Sequence, residues 1–262
     1  YGEAMAHVVG HVGETGGKMG VEKVFDDRLR GEAGAELVET DAAGEILRRL
    51  GRREPVVGEE VRLTIDAGLQ KVAWEALRLR SGLKGAVVVS DVKTGEILAL
   101  VSSPRFDPSR PAEFVDRPEK PYFNRAVGGE YPPGSVFKLV TAVAGLEEGK
   151  VTETTQIEDT GEIRVGEFRY SNWYFDQYGR KEGVLNLVGG LRRSNDIFFY
   201  RVGEAVGPEK LAEWARRLGL GRATGWELGG EGAGLVPDPA WKEKFKGERW
   251  FLGNTYHMAI GQ

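Results

Sequence analysis

The hydrophobic and polar positions of the chain predict one amphipathic helix and one β-hairpin near its middle. In TIDAGLQKVAWEALRLR, apolar side chains recur at helical spacing at Leu69, Val72, Ala73, Ala76 and Leu77. Asp66 precedes this stripe and is placed to cap the start of the helix. The next stretch, GAVVVSDVKTGEILALVSSP, has two apolar runs around a polar centre with a glycine, which predicts a hairpin.

A second helix is predicted in YPPGSVFKLVTAVAGLEEGK, where Pro132 and Pro133 prevent an earlier start and Gly149 ends it. From Val136 to Leu146 the side chains are apolar almost all round. We therefore expect this helix to be buried on most sides. Further helices are expected near 184–205 and 209–218.

Residues 1–60 have a different pattern, with many glycines, many charges and only short apolar runs. They predict strands and turns with little core of their own, and one short amphipathic helix within 16–34. The stretch RREPVVGEE is typical of a linker. We expect one part of the protein at 1–60 and a second part at 61–262.

Composition excludes several classes of site and partner. The sequence has 36 Lys and Arg against 40 Asp and Glu, and this acidic balance argues against a nucleic-acid partner. It has no cysteine, so disulfides, thiolate zinc sites and thiol nucleophiles are excluded. The three histidines, His7, His11 and His257, are too scattered for a metal site and are expected to be structural or exposed to solvent. No metal and no cofactor is predicted.

No run of 18 apolar residues is present, so the sequence predicts no membrane-spanning helix within itself. Tyr1 is an unusual natural first residue, and a membrane anchor is expected upstream of it.

The candidate chemistry lies in the pattern Ser-x-x-Lys. A serine becomes a good nucleophile when a nearby amine accepts its proton, and a lysine can do so when desolvation or a cationic neighbour lowers its pKa. Roughly one match is expected by chance in a chain of this length. This chain has three, which are Ser81–Lys84, Ser90–Lys93 and Ser135–Lys138.

The third match has the most suitable surroundings. A spacing of three places both side chains on one face of a helix, and Lys138 is the only charge between residues 131 and 146. The lysines of the other two matches lie among polar or turn residues and are expected to be solvated. Another interpretation stays open at this point, in which Ser135 only caps its helix and Lys138 extends to the solvent.

The segment YPPGSVFKLVTAVAGLEEG resembles the active-site block of class B penicillin-binding proteins, and the resemblance continues on both sides. GKMGVEKVFDDRLRGEAG resembles their pedestal motif, and GAVVVSDVKTGEILALVSSPRFDP resembles the first hairpin of the transpeptidase domain. RSNDIFFYRVGEAVG resembles the second motif block, and YHMAIGQ resembles the segment before the third motif. The stretches RYSNWYFDQYG and SNDIFFY favour the elongation type, the penicillin-binding protein 2 group.

This resemblance implies an α+β fold, in which an antiparallel sheet packs between helices. It implies a small β-rich pedestal part of the dimerisation type at 1–60 and a transpeptidase domain at 61–262. The third motif, Lys-Thr-Gly or Lys-Ser-Gly, is expected beyond Gln262 together with the last strands, so we expect a longer protein. The Lys93-Thr94-Gly95 match comes before the nucleophile helix and is interpreted as a hairpin turn.

The implied activity is that of a peptidoglycan D,D-transpeptidase. Ser135 would be the nucleophile, Lys138 the general base and Ser194 a proton relay to the leaving amine. The second motif is usually Ser-x-Asn, whereas this chain has Ser194-Asn195-Asp196. Asp196 is assigned to the catalytic group by its position and Asn195 to substrate binding, although either could face the cleft. A turn that only caps a helix is the other interpretation of these three residues.

The implied partners are peptidoglycan stem peptides, β-lactam antibiotics and a rod-shape membrane glycosyltransferase of the SEDS type. The implied location is the periplasmic side of the inner membrane, with an anchoring helix that this chain does not contain. A D,D-carboxypeptidase or a serine β-lactamase is an alternative, but no feature of the sequence indicates a route for water in deacylation. A non-catalytic β-lactam-binding sensor or scaffold is an alternative of another class.

Overall fold

The computed structural model describes residues 2–79 and 84–262. The chain divides into two compact units, one formed by Tyr1–Gly129 with Gly225–Gly232, the other by Glu130–Thr224 with Ala233–Gln262. The domain boundary expected after residue 60 is not tested by this division and stays a prediction. Ser81, the serine of the first Ser-x-x-Lys match, lies outside the described residues.

The first unit is built from short helices and two-residue to eight-residue strands. In chain order they are α1 (Ala6–Val9), β1 (Val12–Gly13), β2 (Gly16–Gly17), α2 (Gly20–Val24), α3 (Asp26–Leu29), β3 (Ala35–Thr40), β4 (Ile46–Arg53), α4 (Ala67–Arg78), β5 (Gly85–Ser90) and β6 (Ile97–Ser103). The strands pair in order as three antiparallel hairpins. The hairpin expected from GAVVVSDVKTGEILALVSSP is confirmed as β5–β6. The segment 16–34 forms two short helices, α2 and α3, where one was expected.

Helix α4 starts as its sequence predicts but buries a different face. The carboxylate of Asp66 accepts a hydrogen bond from the Leu69 N–H at 2.8 Å, so the predicted cap is confirmed. The predicted apolar stripe is wrong at Leu69, Val72 and Ala76, which are exposed. The buried positions of the helix are Gln70 and Ala73.

Gln70 explains this rotation of the helix. Its Nε2 donates to the Leu100 carbonyl and its Oε1 accepts from the Leu100 N–H, both at 2.8 Å, while Nε2 also reaches the Ala4 carbonyl. A side-chain amide thus pairs with the free edge of β6 as a neighbouring strand would, because it carries both a donor and an acceptor. These bonds hold the helix with Gln70 inward.

Two of the histidines belong to the interior of the first unit. The His7 Nε2 donates to the Pro121 carbonyl at 2.7 Å, and its ring meets Phe106 edge-on. Burial lowers the pKa of His7 to about 4. The His11 ring also packs edge-on against Phe106, whereas His257 is exposed. Within 2–79 and 84–262, no group of three or more His, Asp or Glu side chains is arranged to hold a metal ion.

The second unit carries most of the helices. After a 3₁₀ turn at Gly134–Phe137, its elements are α5 (Lys138–Glu147), β7 (Ile157–Asp159), β8 (Glu162–Val165), β9 (Phe168–Ser171), α6 (Trp173–Tyr178), β10 (Gly183–Leu185), α7 (Leu187–Arg193), α8 (Asp196–Val206), α9 (Pro208–Arg217), α10 (Pro239–Lys246) and α11 (Leu252–Ala259). Strand β10 pairs with β7 and strand β8 with β9, both antiparallel. The helices expected near 184–205 and 209–218 are confirmed as α7, α8 and α9.

Helix α8 lies at the centre of this unit and packs against α5, α9 and α11. Its side chains Ile197, Phe198 and Phe199 are almost completely buried. Each contributes roughly 1.5–3 kcal/mol by leaving water.

The expectation that α5 is buried on most sides is wrong for one face, because Val136 and Leu139 are 68% and 61% exposed. One side of α5 packs on α8 and α9, and the other side is open in the described part of the chain.

Both units combine helices with short antiparallel pairs of strands, so the predicted α+β class is confirmed. Each sheet within the described ranges has two strands. Among the same residues, every helix is too short or too polar to cross a membrane.

Candidate active site

The second unit places Ser135 in a tight turn at the start of α5. Pro132 and Pro133 end the preceding segment, and Gly134 follows with φ +61°, a left-handed conformation that favours glycine. The Gly134 N–H donates to the carbonyl of Gly261 at 2.8 Å. This bond fixes the turn against the residues that follow α11. A Cβ built on Gly261 would lie 2.3 Å from the Gly134 carbonyl oxygen, so the two backbones meet closely.

Lys138 begins α5 and is one of the most deeply buried side chains of the unit, at 1% exposure. Its ammonium donates three hydrogen bonds, to the Ser194 carbonyl (2.7 Å), to Ser194 Oγ (3.1 Å) and to Asp196 Oδ1 (2.6 Å). A buried ammonium is tolerated when all of its donors are used, as they are here. The interpretation that Lys138 extends to the solvent is therefore wrong.

Burial lowers the pKa of Lys138 below its ordinary value, and the negative charge of Asp196 works in the opposite direction. Desolvation is the larger of the two effects. A lysine in this setting gives up its proton more easily than one in water, which is the property that a general base requires.

Ser135 contrasts with Lys138 because its side chain is exposed. Among the described residues its hydroxyl forms no hydrogen bond, either to Lys138 or to a backbone N–H of the turn. The interpretation of Ser135 as a helix cap is therefore wrong in this structure. The hydroxyl is available to a ligand and stands three residues before the buried amine on the same helical segment.

Ser194 ends α7 in the left-handed conformation, with φ 50° and ψ 42°. This conformation is uncommon for a residue with a Cβ and is found where the surrounding structure enforces it. It turns the chain sharply between α7 and α8, so that both oxygens of Ser194 reach the ammonium of Lys138.

Asn195 and Asp196 point in different directions. Asn195 is completely buried, where its Oδ1 caps α8 by accepting from the Phe198 N–H and its Nδ2 donates to Glu182 Oε2. The carboxylate of Asp196 is the one that contacts Lys138. The capping interpretation of this motif therefore holds for Asn195. Both polar atoms of the Asn195 side chain bind protein groups. The role of Asn195 in substrate binding stays a prediction.

Several buried polar residues around this motif were not predicted. Asn172 and Asp159 are completely or almost completely buried and are linked by a hydrogen bond to each other. The Asn172 Oδ1 accepts from the main-chain N–H of Asp196, and Glu182 pairs with Arg193 as well as with Asn195. The stretch RYSNWYFDQYG contains Asn172, but nothing in its local pattern distinguishes a buried asparagine from a turn residue.

The remaining Ser-x-x-Lys match lies on the β5–β6 hairpin of the first unit. Ser90 and Lys93 are both exposed, and Lys93 sits in a turn where Asp91 Oδ1 accepts from the N–H groups of Lys93 and Thr94. The interpretation of Lys93-Thr94-Gly95 as turn residues is confirmed, with Gly95 at φ +78°.

The arrangement in the second unit suits acyl transfer. It provides an exposed hydroxyl in the turn before α5, a desolvated amine at the start of α5, and a second hydroxyl and a carboxylate that contact the amine. A nucleophile, a base and a group that orients the base are the parts that covalent catalysis by serine requires.

Comparisons with known proteins agree with this arrangement. The model of the penicillin binding protein transpeptidase domain matches residues 85–261, and that of the penicillin-binding protein dimerisation domain matches residues 1–63. The peptidoglycan D,D-transpeptidase MrdA of Acinetobacter baumannii is 37% identical in an alignment that covers 100% of this chain and 42% of that protein.

Solved structures give the same picture. The PBP2 of Pseudomonas aeruginosa in complex with WCK 5153 has a TM-score of 0.80 and 31% identity, and the match covers 100% of this chain and 59% of that chain. The PBP2 of Helicobacter pylori in its complex with MreC has a TM-score of 0.81 and 31% identity over 99% of this chain and 52% of that chain. The chain thus spans about half the length of these relatives. It belongs to the penicillin-binding protein transpeptidase family, as its sequence motifs predict, and has the α+β fold of that family.

Proposed function

We propose that the protein is a serine D,D-transpeptidase that cross-links peptidoglycan stem peptides during cell-wall elongation. The observation that carries the proposal is the buried ammonium of Lys138, held by Ser194 and Asp196 on the helix that presents the exposed Ser135. A desolvated lysine is costly to a fold even when it is paired, and this one lies where a serine nucleophile needs a base.

Acylation begins with Ser135. Its Oγ attacks the carbonyl carbon of the penultimate D-alanine, and its proton passes to the neutral amine of Lys138. The peptide bond to the terminal D-alanine then breaks. The leaving nitrogen takes up a proton through the Ser194 hydroxyl, which lies 3.1 Å from Lys138 Nζ. Free D-alanine departs and an ester on Ser135 remains.

Deacylation repeats the same steps with a different nucleophile. An amine of a neighbouring stem peptide attacks the ester carbonyl and loses a proton to Lys138 by way of Ser194. The ester bond to Ser135 Oγ breaks, the oxygen recovers its proton, and the new amide is the cross-link. A β-lactam follows only the first half, because its opened ring stays attached and occupies the place of the leaving group.

The contacts of Lys138 suggest how the amine becomes available. A charged ammonium supplies three donors, and all three are used by Ser194 and Asp196. A neutral amine has two donors and one lone pair. Loss of one proton therefore releases one contact and leaves the nitrogen able to accept the proton of Ser135.

Location and partners form a further part of the proposal. The match of residues 1–63 to a dimerisation domain supports a pedestal that docks other proteins, and the Helicobacter pylori relative was solved in complex with MreC. We place the protein on the periplasmic side of the inner membrane, anchored by a helix outside this chain. Its partners there are stem peptides, β-lactams and a SEDS-type glycosyltransferase.

Labelling with fluorescent penicillin tests the chemistry. The full-length protein should be labelled, and Ser135→Ala should abolish the label while leaving the fold intact. Ser90→Ala should label normally and serves as the matched control, because Ser90 also precedes a lysine by three residues. Persistent labelling of Ser135→Ala would remove Ser135 as the nucleophile. A labelled protein that fails to cross-link paired stem peptides would point to a sensor.

A further inference from the structure

Asp196 is fixed at both its side chain and its backbone. One carboxylate oxygen accepts from Lys138, and the other, Oδ2, accepts from the N–H of Trp173 at 3.1 Å. The Asp196 N–H donates to Asn172 Oδ1 at 3.2 Å. Trp173 is the first residue of α6 and Asp196 the first residue of α8. Asp196 thus supplies an acceptor to the first N–H of α6, and Asn172, the residue before α6, supplies an acceptor to the first N–H of α8.

Asn172 is unusual in this exchange. It occupies the position before α6, where an asparagine ordinarily caps its own helix, yet its side chain forms no such cap. Its oxygen is directed instead to the N–H of Asp196, and its residue is completely buried. The asparagine thus acts on α8 rather than on the helix it precedes.

Asp159 determines which way the amide of Asn172 faces. It ends β7, is almost completely buried, and its carboxylate accepts from Gly161 N (2.8 Å), Glu182 N (2.9 Å) and Asn172 Nδ2 (3.1 Å). A carboxylate oxygen only accepts, so the group of Asn172 that meets it is the NH₂. The oxygen of the same amide is then left facing Asp196.

We propose that Asp159 and Asn172 are positioning residues for the acyl transfer, acting in series to hold the first turn of α8 so that the Asp196 carboxylate stays on Lys138. The inference rests on the proposed function, because Asp159 and Asn172 can position the acyl transfer only if Lys138 and Asp196 take part in it. Both residues lie outside the groups that carry out that reaction. Neither residue touches Ser135, Lys138 or Ser194 in the hydrogen bonds of the described chain.

The proposal has a consequence for the proton on Lys138. Three helices pack on α5 and carry charged groups. Helix α8 presents Asp196 to the ammonium, and α7 carries Arg192 and Arg193. Helix α9 carries Lys210, which pairs with Glu148 at the far end of α5. Arg193 is paired with Glu182. Asp196 is thus the charged group in contact with Lys138, and it raises the pKa of the amine. If the carboxylate is displaced, the amine loses its proton at lower pH.

The test measures the rate constant of labelling by fluorescent penicillin as a function of pH, on the full-length protein. Asn172→Ala should slow labelling about 10- to 100-fold, which is the cost of misplacing a catalytic group by about 1 Å. The midpoint of the rise in rate with pH should move to lower pH. Thr255→Val is the control, since it also removes a buried hydrogen bond of this unit, from the Trp250 indole, and should leave both values unchanged.

A double-mutant cycle separates positioning in series from general destabilisation. Asp159→Leu keeps a side chain of similar size but removes every side-chain acceptor at this position, including the one that fixes the amide of Asn172. It should slow labelling and move the midpoint in the same direction. Because both residues act through one bond to Asp196, the double variant Asp159→Leu with Asn172→Ala should be no slower than Asn172→Ala. Asp159→Leu also supplies the pH readout if Asn172→Ala fails to fold.

Additive losses, or single variants with the rate and midpoint of the unsubstituted protein, would overturn the inference. A lower labelled fraction with an unchanged rate constant would also overturn it, because that result reflects unfolding alone. Ser135→Ala runs beside these variants. If Ser135→Ala still labels, the proposed function fails. If only Ser135→Ala loses its label while Asn172→Ala behaves as the control, the positioning inference fails by itself.

Discussion

Lys138 Nζ lies 2.6 Å from Asp196 Oδ1, and the lysine is 1% exposed. The desolvation of both ions opposes a buried ion pair of this kind. It is stable only when good geometry and further hydrogen bonds add to the attraction between the charges. Burial and the contact with Asp196 together determine the proton affinity of the amine and, in the proposed reaction, the pH at which Ser135 is acylated.

The first prediction concerns Asp196. Asp196→Asn should move the midpoint of the acylation rate against pH to lower pH, because burial lowers the pKa of Lys138 and Asp196 is the group that raises it. The measurement is the rate of penicillin labelling across the neutral and alkaline range. Glu213→Gln, which changes an exposed acid on α9, should keep the original midpoint. A midpoint that rises or stays constant in Asp196→Asn would show that this carboxylate does not control the amine.

The second prediction concerns Gly261. Gly261→Ala should destabilise the second unit by roughly 2–4 kcal/mol, because φ is +75° and the new Cβ would meet the backbone of Gly134. Penicillin labelling should fall as well, since the turn that carries Ser135 must move. Urea unfolding and labelling rate are the measurements. Gly149→Ala is the matched control, with φ +63° but open space around the site, and should cost only about 1 kcal/mol.

The third prediction concerns the pH dependence of stability through His7. Its pKa is about 4 in the folded chain and 6.5 for an unperturbed histidine, so the unfolded state binds a proton first as the pH falls. The stability that His7 contributes is complete above pH 6.5 and is lost as the pH falls towards 4, a loss of roughly 3 kcal/mol.

His7→Asn should flatten this dependence, because asparagine does not titrate. The measurement is the difference in unfolding free energy between the two proteins, since contributions from other groups such as His11 cancel in it. A difference that is constant from neutral pH to pH 5 would contradict the burial of a neutral His7.

The fourth prediction concerns Gln70. Gln70→Ala should cost roughly 2–4 kcal/mol, because it leaves the N–H and carbonyl of Leu100 without their partners inside the first unit. The Leu100 amide should exchange its hydrogen faster with solvent. Val72→Ala, an exposed position on the same helix, should change stability by less than about 0.5 kcal/mol. Equal effects of the two substitutions would contradict the strand-like role of Gln70.

Local signals in the sequence were sufficient for several elements. Asp66 predicts the start of α4 because a cap acts on the N–H groups of the next few residues. The turn of the β5–β6 hairpin is set by Asp91 and Gly95 within a few residues of each other. The chemical surroundings of Lys138 also have a local signal, since one charge in a long apolar run is costly unless it is used.

Other features depend on residues far apart in the chain and have no local signal. The helical stripe predicts that Leu69 and Val72 face inward, but the pairing of Gln70 with Leu100 overrides it. The local sequence around Asn172 is typical of a turn. Its burial follows from Asp159 and Asp196, which bind the two ends of its amide in the folded structure. A single sequence gives no means of pairing such polar residues, because hydrogen-bond partners are chosen by the tertiary structure.

The contact between Gly134 and Gly261 also affects when the turn that carries Ser135 can form during synthesis of the chain. The Gly134 N–H in the turn that presents Ser135 donates its hydrogen bond to the carbonyl of Gly261, which comes much later in the sequence. During synthesis, a nascent chain that already contains Ser135 and Lys138 still lacks this hydrogen bond. We therefore expect the turn that carries Ser135 to form only after the helices from α5 to α11 have been made.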